Sequence, residues 1–198
     1  MNEHPLVWII IGVCSTGKST IGRRLAQQLE CDFLEGDRRH PLANIAKMIG
    51  QKPLQDEDRL PWLLDIEDDI HRAITRNREI VITCSAIKVL YRKQITSLGR
   101  VQLVWLDVPR LVLEQRLKKR VEHYMKSEML DSQIAAFESI TSEENVIIVD
   151  GDHSIDTVIS QLMTKAIQRY PNIVKPWWQR CAETSNESEI EISSKLNL

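Results

Sequence analysis

Eight consecutive residues constrain this chain more than any others. Gly12-Val13-Cys14-Ser15-Thr16-Gly17-Lys18-Ser19 fits the pattern G-x-x-x-x-G-K-[ST] in full. The apolar run Leu6 to Ile11 precedes it, and Ser19 to Leu29 follows with Ile21, Leu25 and Leu29 on one helical stripe. Strand, glycine loop and helix in that order form a phosphate cradle. The glycines let successive backbone N–H groups turn inward, and the helix N-terminus adds its positive end. Lys18 then reaches the β- and γ-phosphates as a catalytic cation, and the Ser19 hydroxyl ligates Mg²⁺. ATP is therefore the expected ligand of Gly12, Val13, Cys14, Ser15, Thr16, Gly17, Lys18, Ser19 and Thr20.

A cradle of this kind needs a parallel sheet behind it, and the rest of the chain supplies one. Short runs rich in Val and Ile recur at Asp32 to Glu35, Ile80 to Cys84, Val101 to Asp107 and Val146 to Asp150. They lack clean alternation, as strands covered on both faces do. Between them lie amphipathic stretches, which predicts an α/β, doubly wound parallel five-stranded sheet. The last helix reads clearly, with Ile155, Val158, Ile159, Leu162, Met163, Ala166 and Ile167 on one face. Residues 38–78 read as an inserted helical segment for the acceptor, and residues 118–140 as a movable lid. The kinase domain is expected over 1–170, with a C-terminal extension over 171–198 that is disordered from 182 on.

Composition narrows the function classes. The chain has 198 residues with 42% hydrophobic, enough for one core. Charges nearly cancel, 26 Lys+Arg against 28 Asp+Glu, so no basic field recruits nucleic acid or a membrane surface. No apolar run is long enough to span a bilayer, and the start of the chain lacks a secretory signal. The cysteines Cys14, Cys31, Cys84 and Cys181 show no metal-ligand spacing. Reduced thiols in the cytoplasm are the expectation.

Strand three ends in Thr83-Cys84 rather than in an aspartate. The carboxylates that close strand two, Glu35 and Asp37, are better placed, and Asp37 is expected to orient the attacking hydroxyl. After strand four, Arg116 and Arg120 share one stripe of a helix beside Leu113 and Leu117. Both are candidate catalytic cations that neutralise transition-state charge from a closing lid. Asp150-Gly151-Asp152, closing the last strand, either borders the adenine or only caps the next helix.

Longer motifs then point to a family. Gly36-Asp37-Arg38-Arg39-His40-Pro41 with Asn44 and Lys47-Met48 resembles the G-D-x-x-H-P-x-x-N-x-x-K-M run of gluconate kinases. Pro53-Leu54-Gln55-Asp56-Glu57-Asp58-Arg59-Leu60-Pro61-Trp62-Leu63 is similar to that family's P-L-x-D-x-D-R-x-P-W-L. Cys84-Ser85-Ala86-Ile87-Lys88 with Tyr91-Arg92, His123-Tyr124-Met125, and Leu130-x-Ser132-Gln133 resemble three more of its segments, in order. Departures stand at Glu35, Lys93, Thr96, Glu122 and Ile140.

The resemblance implies a nucleoside-monophosphate-kinase-like fold with strand order 2-3-1-4-5, a homodimer, and phosphorylation of D-gluconate by ATP. Asp37, His40, Lys47, Arg59, Lys88, Arg92, His123 and Gln133 are the implied substrate-binding residues. Their chemistry suits a carboxylate with a row of hydroxyls. Arg59 and Arg92 each offer a planar fork to the carboxylate, and the others can bind hydroxyls. Two alternatives stay open: a kinase for shikimate or another sugar acid, and a nucleotide-binding regulator that has lost transfer activity.

Overall fold

Alternation along one strand organises the two layers around the sheet. In β1 (Val7–Ile11) every side chain is buried. Val7, Ile9 and Ile11 join one core cluster, while Trp8 and Ile10 join the other. Successive strand residues point to opposite faces, so a wholly apolar strand must be covered twice. Each fully buried isoleucine of this kind contributes about 1.5–3 kcal/mol. A computed structural model of the chain describes residues 6–50, 52–119 and 127–179, without the side chains of Ser127 and Glu128.

Strands β2 (Asp32–Glu35), β3 (Ile80–Cys84), β4 (Val101–Asp107) and β5 (Val146–Asp150) complete a parallel sheet of order β2-β3-β1-β4-β5. This is the order that the resemblance implies. The register sets Ile11 beside Cys84 and Trp105, and Glu35 beside Thr83. The strands' C-terminal ends therefore share one edge, where open α/β sheets bind their ligands.

Helices α1 (Lys18–Leu29) and α7 (Ile155–Arg169) cover one face through Ile21, Leu25, Val158, Ile159 and Leu162. The long helix α3 (Asp56–Thr75) covers the other through Trp62, Leu63, Ile66 and Ile70. Its start is fixed by a capping box between Gln55 and Asp58, with three acids in the first turn. The segment between β2 and β3 thus belongs partly to the sheet's own layers. Only the 3-10 turn Gly36–Arg39 and α2 (Leu42–Ile49) precede the core-covering helix. The stripe on α7 also differs from expectation, since Ile155 and Ile167 are exposed.

Three further helices complete the fold: α4 (Val89–Thr96), α5 (Arg110–Lys118) and α6 (Ser127–Ala136). The expected lid is represented by α6, which is docked: Met129 and Leu130 are buried, and Leu130 packs with Val13, Cys14, Ile87 and Leu113. The C-terminal extension is held at its start. Ile173 lies in the α1–α7 core, and Trp177 Nε1 donates to Glu30 O at 3.2 Å. Arg120, His123 and the tail over 182–198 lie outside the described residues. Among the described residues no helix is long and apolar enough to cross a membrane.

Candidate active site

The loop between β1 and α1 closes on itself through three positive φ angles, Gly12 at 150°, Ser15 at 63° and Gly17 at 99°. A Cβ on Gly12 would meet Thr16 Oγ1 at 2.9 Å, so glycine is required there. Inside the loop, Thr16 Oγ1 donates to Val13 O at 2.9 Å and Lys18 Nζ donates to the same carbonyl at 2.8 Å. Among the described residues the buried Ser15 hydroxyl has no hydrogen-bond partner. A helix N-terminus, a retracted lysine and an orphaned hydroxyl in one loop fit the phosphates of a nucleotide. Val13 and Cys14 instead turn their side chains into the apolar cluster under α6. Ser19 is half-buried and Thr20 exposed at the start of α1.

Arg116 reaches this loop from α5. One guanidinium nitrogen donates to Thr16 O at 3.2 Å and another to Gly151 O at 2.8 Å. A cation from the helix after β4 therefore bridges the phosphate loop and the turn after β5. Among the described residues no three His, Cys, Asp or Glu side chains gather into a metal site. That suits Mg²⁺, which takes few protein ligands and relies on substrate phosphates and water. Ser19 is the side chain here that would hold it.

Four of the residues expected on the acceptor side, Asp37, His40, Arg59 and Gln133, meet in one pocket. The 3-10 turn and α2 supply Asp37, His40 and Met48; the start of α3 supplies Leu54, Arg59 and Trp62; α6 supplies Met129, Ser132 and Gln133. Gly36 lets the turn approach β3 closely, since a Cβ there would lie 1.9 Å from Thr83 O. That approach lets Trp62 Nε1 donate to Gly36 O at 2.8 Å and places Asp37 at the pocket. His40 stacks on Trp62 with ring centroids 4.5 Å apart. Burial lowers the His40 pKa; Asp37 opposes that shift and Arg59 adds to it. The imidazole is therefore neutral near pH 7. Asn44 Nδ2 lies 3.3 Å from Nδ1, and an amide nitrogen can only donate. Nδ1 is then the acceptor, and Nε2 carries the proton.

Charges converge on the strand ends beside this pocket. Cys84, wholly buried at the end of β3, is pushed up to about 12 by desolvation, and Asp37, Lys18 and Arg59 all act on it electrostatically. The thiol is inert, but it registers three expected site residues from three different segments.

The remaining expected residues divide sharply. Arg59 makes only long contacts, with Nε and one terminal nitrogen 3.4 Å from Leu54 O. Among the described residues it has no carboxylate partner. Lys47 is paired with Asp58, and Lys88 Nζ lies 2.7 Å from both oxygens of Asp56. The Lys88 hydrogen bond, then that of Tyr91, holds the Asp56 carboxyl below its usual range. Arg92 is 1% exposed and does not face the pocket. Its guanidinium pairs with Glu144 and donates to the carbonyls of Ala86, Ile87, Glu138 and Ser139. The expected fork of Arg92 for an acceptor carboxylate is thus committed within the protein. Glu35 is likewise engaged, by Thr83 and Arg23.

Gln133 lines the pocket, but its Oε1 accepts the backbone N–H of Cys14 at 2.7 Å. Residue chemistry alone did not single out Trp62, Met48, Leu54, Ser85, Met129 and Ser132 as lining residues. All but Met129 lie within the motifs that carry the family resemblance, and that was the available signal.

Comparison with known proteins agrees with this geometry. A family model described as an AAA domain matches residues 7–140. The chain is 37% identical over 164 residues to a gluconokinase of Gluconobacter oxydans (strain 621H), covering 82% of this chain and 92% of that protein. The solved structure of a gluconokinase from Sinorhizobium meliloti 1021 matches with a TM-score of 0.78 and 29% identity, over 87% of this chain and 97% of that one. A shikimate kinase from Aquifex aeolicus vf5 matches with a TM-score of 0.59 and 20% identity, over 82% of this chain and 96% of that one, and so shares the fold alone.

Proposed function

We propose that this chain, which belongs to the gluconokinase family of P-loop kinases, transfers the γ-phosphoryl group of ATP to the 6-hydroxyl of D-gluconate. The protein is an enzyme of gluconate utilisation. The single observation that carries the reading of the site is Arg59, a cation with no ion-pair partner among the described residues that shares a pocket with Asp37. A sugar acid has one charge for the first and a hydroxyl for the second.

In this reading Arg59 grips the carboxylate and neutral His40 donates through Nε2 to a hydroxyl. Asp37 orients the terminal hydroxyl and accepts its proton as that oxygen bonds to the γ-phosphorus and ADP leaves. Lys18 and Arg116 stabilise the charge that develops on the transferred group. The Ser19 hydroxyl would hold Mg²⁺, which would supply further charge neutralisation when bound. Arg120 and His123 complete the lid side in the family resemblance. We place the enzyme in the cytoplasm, which its balanced charge and scattered cysteines support.

A coupled ADP-release assay over gluconate, other sugar acids, shikimate and nucleoside monophosphates tests the assignment. Gluconate should give the highest kcat/KM. Preference for shikimate would move the substrate class, and no ADP release with any acceptor would favour the regulator.

A further inference from the structure

Helix α6 touches both halves of the site, and one side chain on it spans them. Gln133 is 8% exposed, and its Oε1 accepts from the Cys14 N–H of the phosphate loop at 2.7 Å. A backbone N–H is a fixed donor, so the orientation of the amide is decided: oxygen toward the loop, Nε2 away from it. The same residue lines the acceptor pocket beside Ser132 and Met129. Among the described residues Nε2 has no hydrogen-bond partner. Leu130 packs on Val13 and Cys14, so the helix and the loop are also held together by apolar contact.

We propose that Gln133 is a positioning residue that couples the two substrates. The proposal rests on the sugar-acid reading above and adds a link between its two sites. Nε2 donates to an oxygen of the acceptor, while Oε1 holds the Cys14 N–H and with it the curvature of the phosphate loop. An occupied acceptor pocket then fixes the loop for ATP, and ATP in the loop fixes α6 for the acceptor. Such a coupling is reciprocal, with the same factor in both directions. One ordinary hydrogen bond at each end sets that factor at about five- to tenfold.

Calorimetric titration of gluconate, with and without a non-hydrolysable ATP analogue, measures the factor directly. Gln133→Leu removes both hydrogen bonds, and Gln133→Glu keeps an acceptor for Cys14 but loses the donor. The unmodified enzyme should bind gluconate about five- to tenfold tighter with the analogue present. Both variants should lose that ratio while each ligand still binds alone. Exchange of the Cys14 amide in the ligand-free protein should quicken about tenfold in Gln133→Leu and stay slow in Gln133→Glu. A Leu variant with an intact ratio, equal weakening of each ligand with the ratio preserved, or unchanged Cys14 exchange would each overturn the proposal. Failure of gluconate to bind the unmodified protein would instead overturn the substrate assignment. The exchange measurement needs no ligand and still decides whether Gln133 holds the loop.

Discussion

Two arginines were candidates for the acceptor's carboxylate, and the structure gives them opposite consequences when replaced. Arg59 makes only two contacts of 3.4 Å to one carbonyl, at the weak end of the hydrogen-bond range. Arg59→Leu should therefore cost the fold less than about 1 kcal/mol and leave the melting temperature nearly unchanged. In a closed pocket a charge-assisted hydrogen bond to a carboxylate is worth about 1.5–3 kcal/mol, or roughly ten- to a hundredfold in kcat/KM. The variant should lose that much on gluconate and almost nothing on glucitol, which has similar hydroxyls and no charge. Arg92 is 1% exposed. Replacing it with Leu leaves the Glu144 carboxylate without its cation, held among the described residues by the Thr141 N–H, and removes the donor from four backbone carbonyls. Breaking a buried pair from one side costs about 3–5 kcal/mol. At about 2–4 °C per kcal/mol for a chain of this size, melting should fall by roughly 6–20 °C. The preference for gluconate over glucitol should survive in whatever fraction stays folded. Steady-state kinetics on both substrates, with calorimetric melting of both variants, settles the matter. Undiminished gluconate preference in Arg59→Leu, or lost preference with unchanged melting in Arg92→Leu, would refute the assignment.

Three other outcomes follow from the same geometry. Lys18→Ala removes one hydrogen bond to Val13 O and the counter-charge for the transferred group, so the protein should fold while kcat drops roughly 10²–10³-fold; an undiminished rate would show that the loop is not catalytic. Ser15→Gly relieves a left-handed backbone at φ 63° that costs serine about 1 kcal/mol, so melting should rise by about 2–4 °C beyond that of Ser15→Ala, which likewise removes the orphaned hydroxyl but keeps the strained backbone. The His40 pKa is lowered from its ordinary value of 6.5 chiefly by burial, so the folded protein resists protonation more than the unfolded chain does. That contribution to stability is present above pH 6.5 and is lost as pH falls through the folded pKa. Melting followed from pH 7.5 to 5 should decline accordingly, and His40→Gln should flatten part of the decline; a variant with an unchanged slope would exclude His40 as its source.

The frame was legible because local pattern and tertiary environment agree there. A strand such as Ile80 to Cys84, wholly apolar up to Thr83, can only be covered on both faces, and its bounds match the structure residue for residue. The phosphate loop was legible for a related reason, since glycine spacing directly encodes backbone conformation. The acceptor site was only half legible. A charged residue's position in a motif does not say whether its partner is a ligand or the protein itself. Arg92 and Glu144 lie 52 residues apart, and nothing local to Tyr91-Arg92 marks that pairing. Gln133 and Cys14 lie 119 residues apart and meet only because α6 folds back over the loop. The stack of His40 on Trp62 is invisible for the same reason, and so is the burial that keeps this hydroxyl-binding candidate neutral.

The pairing of charges has a consequence for what the pocket can recognise. Four cations surround the acceptor in the sequence: Lys47, Arg59, Lys88 and Arg92. Taken at face value they describe a strongly basic site, suited to a substrate with several negative charges. The fold neutralises three of them with Asp58, Asp56 and Glu144. Two of these acids sit in the first turn of α3, where the helix dipole also favours negative charge. Arg59, one turn further on, is left as the cation without a carboxylate partner among the described residues, facing a pocket that also holds the Asp37 carboxylate. In the proposed reading such a pocket would distinguish a single carboxylate from an uncharged polyol through Arg59. In that reading it also disfavours a second negative charge beside Asp37, whose carboxylate repels it. In the proposed reading, selectivity for a monoanionic acid would come largely from committing charge elsewhere, and the acids at the head of α3 would share in the recognition with Arg59, which they touch only through long-range charge among the described residues.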